Sequence, residues 1–393
     1  MANSLTRKST IQFLDRIIQF SLFTFVTFSM FSISVTQISF AIGALSWLLK
    51  VHLTRTWKEM RGTLVGIAIL CFCVAGVLSI ITSVDLENSS TLLKKLLQFV
   101  IFFWVANSIQ EEKRRDLLVG LVILAGLAAA LHGLLTPLAP NESRIKGTLS
   151  KEATFAGVLM LSGSVALGRF LFRKPKEYWT LGSACIIWTC LLLTLTRQAW
   201  LGFFIGAAFM LFFFNKKSLL VLPLFVLSLL LFANESLVNR VQSLTNFEQN
   251  SLQARITVWK VGWKIFKDYP ITGCGYKCVD AIYSQYPDPS GLVARNRGMH
   301  SNVLQVLVDT GIVGLSSWAL IWMTYFIEIF KRLRTITAEE SQTNSRGILM
   351  GSSAAVLAYL VGGCFESSIY DSEVSMLLYF LMGLSLARVN KSA

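Results

Sequence analysis

Apolar blocks of about 15–22 residues alternate with short polar connectors along most of the chain, and that length suits helices crossing a hydrocarbon core of roughly 30 Å. The blocks fall near residues 17–35, 38–50, 63–82, 92–109, 117–138, 153–172, 178–196, 198–214, 218–233, 312–330, 347–365 and 373–388. They predict an all-α polytopic membrane protein with about twelve transmembrane helices. Alternating ten-residue segments, which would mark a transmembrane barrel, do not occur. One long polar interruption breaks the pattern. It divides the chain into nine spans within 1–233, a large loop over 234–311, and three further spans within 312–393.

Composition agrees with that pattern. Of the 393 residues, 54% are hydrophobic and 15% charged, with a mean hydropathy of +0.59, whereas soluble domains carry about 25% charged residues. The net charge of +14 would suit a nucleic-acid partner, but its distribution argues against one. Arg7, Lys8 and Arg16; Arg55, Lys58 and Arg61; Lys113 to Arg115; Arg173, Lys174 and Lys176; Lys216 and Lys217; Lys331, Arg332 and Arg334 all sit in alternate connectors. Cytoplasmic loops carry such an excess. Both termini are therefore expected in the cytoplasm and the 234–311 loop in the periplasm. The basic, then apolar, N-terminus has no convincing small-x-small cleavage site, so an uncleaved first helix is expected. No repeat of 20–50 residues is visible. Transporter folds often show repeated halves and charges at broken helices, whereas here the charges gather on one face, which leaves a membrane transporter as the less favoured alternative.

Candidate chemistry concentrates on the expected outer side. Arg197 stands in the tight turn TLTRQAWLG between two spans, where a charge is costly unless it faces a wet cavity or an anion. The snorkelling of an interfacial arginine to headgroups is the alternative. In the loop, Leu252, Ile256, Trp259, Trp263 and Phe266 are spaced as one helical stripe, with Arg255, Lys260, Lys264 and Lys267 around it. A basic helix with tryptophans and no spanning length belongs in the membrane interface. Pro270 stops it, and Gly273 and Gly275 permit a tight turn. Ser301 to Thr310 reads as a short helix with Val303, Leu304 and Leu307 inward, ended by Gly311, which places His300 at a helix N-terminus. An imidazole there can accept a proton; a plain capping role is the alternative. His52 and His132 lie beside or inside spans and are read as structural. Arg144, Lys146, Arg295 and Arg297 are further cations that could meet phosphate or sugar. Glu366, Asp371 and Glu373 could orient an arginine or His300. Asp85-Leu86-Glu87 has the look of a metal-holding acidic pair. Cys274 and Cys278 lie where a disulfide is permitted, while a zinc site lacks a second pair of ligands.

His300-Ser301, nine residues, then Gly311-x-x-Gly314 matches the pattern H-[NSQ]-x9-G-x-x-G. The chain resembles the O-antigen ligases of lipopolysaccharide assembly, within the O-antigen ligase and polymerase superfamily. The turn around Arg197, the R-x3-W of Arg255 and Trp259, and the P-x-x-G-x-G of Pro270, Gly273 and Gly275 add to the likeness. The resemblance implies a GT-C-like glycosyltransferase of the bacterial inner membrane with its active site on the periplasmic face. It implies undecaprenyl-diphosphate-linked O-antigen as donor, lipid A-core as acceptor, membrane lipids as surroundings, inversion at the anomeric centre, and neither metal nor cofactor. Arg197 and Arg255 would hold the diphosphate and His300 would serve as general base. A second carrier-linked repeat as acceptor would make the protein a polymerase instead, and a protein hydroxyl would make it an oligosaccharyltransferase.

Overall fold

The computed structural model describes residues 2–58, 63–137, 144–223, 250–288, 291, 293, 298–336, 345–387 and 389. The described residues are mostly helical, with no strand among them. The helices are α1 (Ala2–Phe28), α2 (Ile33–Thr54), α3 (Leu64–Ile81), α4 (Leu86–Ser108), α5 (Glu112–Leu135), α6 (Glu152–Phe172), α7 (Tyr178–Leu193), α8 (Arg197–Phe214), α9 (Asn250–Asp268), α10 (Asn302–Thr335), α11 (Ser345–Gly363) and α12 (Ser372–Leu386). Nine of the described helices are long and apolar enough to cross a membrane, and α7 and α12 are shorter apolar helices. The chain is a multi-pass membrane protein. Most of the expected span at 218–233 lies outside the described residues; its start is a 3-10 turn over Lys216–Leu220.

The first two spans are placed differently from expectation. α1 runs from Ala2 to Phe28, and the break comes at 29–32 rather than near residue 36. Ser32 supplies the reason: its hydroxyl accepts from the Val35 N–H and starts α2 at Ile33, as a good N-cap does.

Close helix contacts depend on small residues, as they do where lipid is the solvent. A Cβ built on Gly168 would lie 2.4 Å from the Gly351 Cα, so α6 and α11 touch backbone to backbone. Cβ atoms on Gly202 and Gly206 of α8 would likewise meet the Ala358 and Ala354 carbonyl oxygens of α11 at 2.4 and 2.9 Å. α11 is thus clasped by both α6 and α8. The clasp reaches the helix end, where Gly362 lies against the Gln198 carbonyl.

The basic connectors gather at one end of the bundle. Arg169 and Arg173 at the end of α6 pair with Asp116 of α5 and with Glu177, at 2.7–3.1 Å. Arg332 near the end of α10 donates to the carbonyls of Ser385, Leu386 and Ala387, capping α12 as a basic side chain can. At the opposite end α9, the α7–α8 turn, the start of α10 and the α11–α12 connector come together.

Candidate active site where four segments meet

The turn between α7 and α8 is short. Leu195 adopts φ 52°, in the left-handed region uncommon for a non-glycine residue, and the chain re-enters helix at Arg197. Trp200 pins the turn, its indole N–H donating to the Leu191 carbonyl at 3.1 Å. The 144–150 segment lies against the same turn through the Ile145 N–H and the Leu193 carbonyl, 3.5 Å. Among the described residues, Arg144 and Arg255 are cations whose charge bears on Arg197. Three arginines distant in sequence form one positive cluster.

The start of α10 is held by an exchange of backbone bonds. Gly311 sits inside α10 at φ 63° and ψ −165°, so the helix breaks there. In a straight helix Ile312 and Val313 would donate to Val308 and Asp309. Instead they donate to the Pro270 and Ile271 carbonyls at 2.9 and 3.3 Å, while Val308 and Asp309 accept from Cys274 and Gly275 at 3.0 and 3.1 Å. The 270–275 loop is inserted into the helix ladder. Gly273 at φ 71° and Gly311 each abut the other segment's backbone, where a Cβ would lie 2.2–2.4 Å from its atoms. The two glycine motifs therefore explain each other. Cys274 and Cys278 are disulfide-bonded beside this joint, with Cα atoms 5.6 Å apart, inside the usual range.

His300 stands just before α10, with φ 47°. Strained residues of this kind persist only where neighbours over-determine them, and here both neighbours are tied. The Met299 N–H donates to Gln305 Oε1 at 3.0 Å, and the Ser301 N–H donates to Ser367 Oγ at 3.1 Å. The Met299 carbonyl accepts from the Trp259 indole of α9 at 2.9 Å. Asn302 fastens the next stretch. Its Oδ1 accepts from the Ser368 and Ile369 N–H groups at 2.7 and 2.9 Å, and its Nδ2 donates to Ser368 Oγ at 3.3 Å. The α11–α12 connector is thus locked to the residues around His300.

Glu366, in that connector, is the point where the segments converge. Its Oε1 lies 3.3 Å from His300 Nδ1; its Oε2 accepts from Gln198 Nε2 at 3.4 Å and lies 3.9 Å from Arg255 Nη2. The three side chains of His300, Arg255 and Glu366 are 26–34% exposed, reachable from solvent yet partly desolvated. Burial pushes the Glu366 carboxyl up, but the His300 hydrogen bond and charge, Arg255 and the Ser367 N–H outweigh it and hold it below its ordinary value.

Arg197, Arg255, His300 and Arg144 therefore share one end and one neighbourhood. Lys146 lies in the same 144–150 segment. Arg295 and Arg297 lie outside the described residues. Asp371 caps α12 and accepts from Thr154 instead of facing His300, and Asp85 caps a helix, with both oxygens taken by Asn88.

The inward face of α10 differs from expectation, and α9 shows which side of its amphipathic helix meets protein. In α9 the buried positions are Val258, Val261, Gly262 and Ile265, while Trp263 is half exposed and pairs with Phe266 at 5.2 Å. The cause is close approach: Gly262 leaves room for Met299 and Leu304. In α10 Val303 is exposed, and Asn302, Gln305 and Asp309 are buried instead. Polar groups take the inner side because partners wait there, including the Gln305 amide donating to Asp309 at 3.0 Å. The polar spacing 302, 305, 309 was the available signal, a polar stripe on a mostly apolar helix. Gln198 carried none beyond standing next to Arg197.

Residues 182–319 match the family model for O-antigen ligase, Wzy_C. No curated protein matches the chain. The matched stretch runs from α7 through the arginine turn, α9 and the inserted loop into α10, and it supports membership of the O-antigen ligase/polymerase superfamily.

Proposed function

We propose that the protein transfers O-antigen from undecaprenyl diphosphate to a sugar hydroxyl of lipid A-core, on the periplasmic face of the bacterial inner membrane. The observation that carries this reading is the meeting of Arg255 and His300 at one carboxylate, beside Arg197 and Arg144, at the bundle end away from the basic connectors. Cytoplasmic loops collect Lys and Arg, which supports reading the opposite end, with α9 and the 270–275 loop, as periplasmic.

The chemistry suits the residues. Guanidinium groups pair bidentately with phosphate, and Arg197 and Arg255, with Arg144 beside them, offer a cradle for a diphosphate at the membrane surface. Their charge also stabilises the negative charge that grows on the leaving diphosphate, with no metal required. His300 takes the proton of the acceptor hydroxyl, a contribution of about 10²–10⁴ in rate. The acceptor oxygen then bonds to the anomeric carbon. The bond from that carbon to the diphosphate oxygen breaks, its electron pair staying on the phosphate, and a single displacement inverts the centre.

The test is complementation of a ligase-null strain, read as the high-molecular-weight lipopolysaccharide ladder. Wild type restores the ladder; His300→Ala, Arg197→Ala and Arg255→Ala, expressed in the membrane at the same level, do not. A wild type that fails there but restores polymer length in a polymerase-null strain moves the acceptor from lipid A-core to a second carrier-linked repeat. Transfer by purified protein that stops in chelator removes the metal-free mechanism.

A further inference from the structure

Glu366 touches three groups that the proposed reaction uses or places next to those it uses: His300, Arg255 and Gln198, the neighbour of Arg197. We propose that Glu366 is a positioning residue that fixes the tautomer of His300 and yields Arg255 to the diphosphate of the incoming donor. The inference rests on the reading of the site as a glycan-transfer centre.

A carboxylate can only accept hydrogen bonds. With Glu366 Oε1 facing Nδ1 at 3.3 Å, the proton of a neutral ring belongs on Nδ1, leaving Nε2 bare to receive the acceptor proton. The carboxylate also steadies the imidazolium formed as that proton moves. The backbone around it is built to hold this geometry. Ser367 donates its N–H to Glu366 Oε1 at 3.3 Å, and Asn302 locks Ser368 and Ile369 to the start of α10. A residue meant only to neutralise an arginine would need none of this registration with His300.

The contact to Arg255 differs in kind. At 3.9 Å it is a loose ion pair, easily given up when a phosphate offers shorter, bidentate bonds. Arg255 on α9 is the cation whose charge bears on Glu366, and Arg255 and Arg144 both bear on Arg197 of α8. When they turn to the diphosphate, Glu366 keeps His300 and Gln198 as partners, so donor binding leaves the carboxylate committed to the base.

The experiment uses full-length protein in liposomes with undecaprenyl-diphosphate-linked O-antigen and an O-antigen-free lipid A-core, measuring kcat and KM across pH. Glu366→Gln is expected to lower kcat by on the order of 10²-fold, the cost of a catalytic group left about 1 Å out of place, with donor KM changed far less. The acid limb of kcat should move to lower pH, because a negative charge beside the group that must be unprotonated is gone. Glu366→Asp should recover part of the rate and the wild-type limb. A Glu366→Gln enzyme with wild-type kcat and an unmoved acid limb, while His300→Ala is inactive, overturns the role of Glu366 and leaves the transfer reading standing. A rate loss that merely follows a lowered melting midpoint, with an unmoved limb, overturns it too. Full activity in both His300→Ala and Arg255→Ala would sink the transfer reading itself and this inference with it.

Discussion

Asn302→Ala tests how the site is held together. Asn302 is 1% exposed and makes three hydrogen bonds, two of them from the backbone N–H groups of Ser368 and Ile369. Truncation leaves those two donors without a partner, at about 1–3 kcal/mol each, or roughly 2–6 kcal/mol together. Native proteins have only about 5–15 kcal/mol to lose. The effect on rate has a separate origin. The amide is what sets Glu366 and Ser367 in register with His300, and a shift of about 1 Å in such a constellation costs on the order of 10²-fold. The prediction is a lower melting midpoint in detergent together with a transfer rate reduced by about that factor. Asn302→Asp keeps both acceptor interactions and should fall between Asn302→Ala and wild type in rate. An Asn302→Ala protein with an unchanged midpoint and a rate within about twofold of wild type would show that the α11–α12 connector is not held through this side chain.

Gly273→Ala and Gly311→Ala should each abolish folded protein in the membrane, because a Cβ would meet backbone at 2.2–2.4 Å in a left-handed conformation, whereas Gly298→Ala, with open space around it, should express and transfer normally. Arg255→Lys should retain charge but not activity, since a point charge replaces a bidentate fork; rescue to more than about half the wild-type rate would argue that Arg255 acts only through its field. Arg144→Ala should raise donor KM by less than Arg255→Ala does, read from the same rate curves. A carboxyl depressed by folding contributes stability above its unfolded pKa, and that contribution is lost as pH falls through the folded value. The held-down Glu366 carboxyl therefore predicts that acidification narrows the gap in melting midpoint between wild type and Glu366→Gln; a gap constant across the carboxylate range would contradict it.

Local patterns carried much of this structure into view. Apolar block lengths located the helices, and the Gly311 break and the placing of His300 at a helix start follow from punctuation by glycine and a polar residue before an apolar run. What local patterns do not carry is which side faces in when the partner lies far along the chain. Asn302 is buried because Ser368 and Ile369 meet it, and no periodicity reports a partner sixty-six residues away. Val258 and Val261, rather than Trp263, face the core because Gly262 lets α9 approach Met299. Of three acidic residues near the last hairpin, only Glu366 reaches His300, while Asp371 is taken up in capping α12. Residue type could not separate those roles; backbone position does.

The insertion of the 270–275 loop into α10 links the two kinds of information. A break in a helix near a membrane exposes backbone groups that lipid cannot satisfy, and such breaks are tolerated when other protein groups meet them. Here the N–H groups of residues 312 and 313 and the carbonyls of 308 and 309 lose their helical partners and regain four from the loop, so the exchange leaves none of the four unpaired. Its consequence is mechanical. The arm carrying His300 is set by the loop, which leads back to α9 and Arg255, rather than by the apolar arm beyond Gly311. His300 and Arg255 are thereby fixed to each other through backbone hydrogen bonds, largely independent of how the apolar arm packs, which explains why the glycines of both motifs sit at the joint and not beside those side chains.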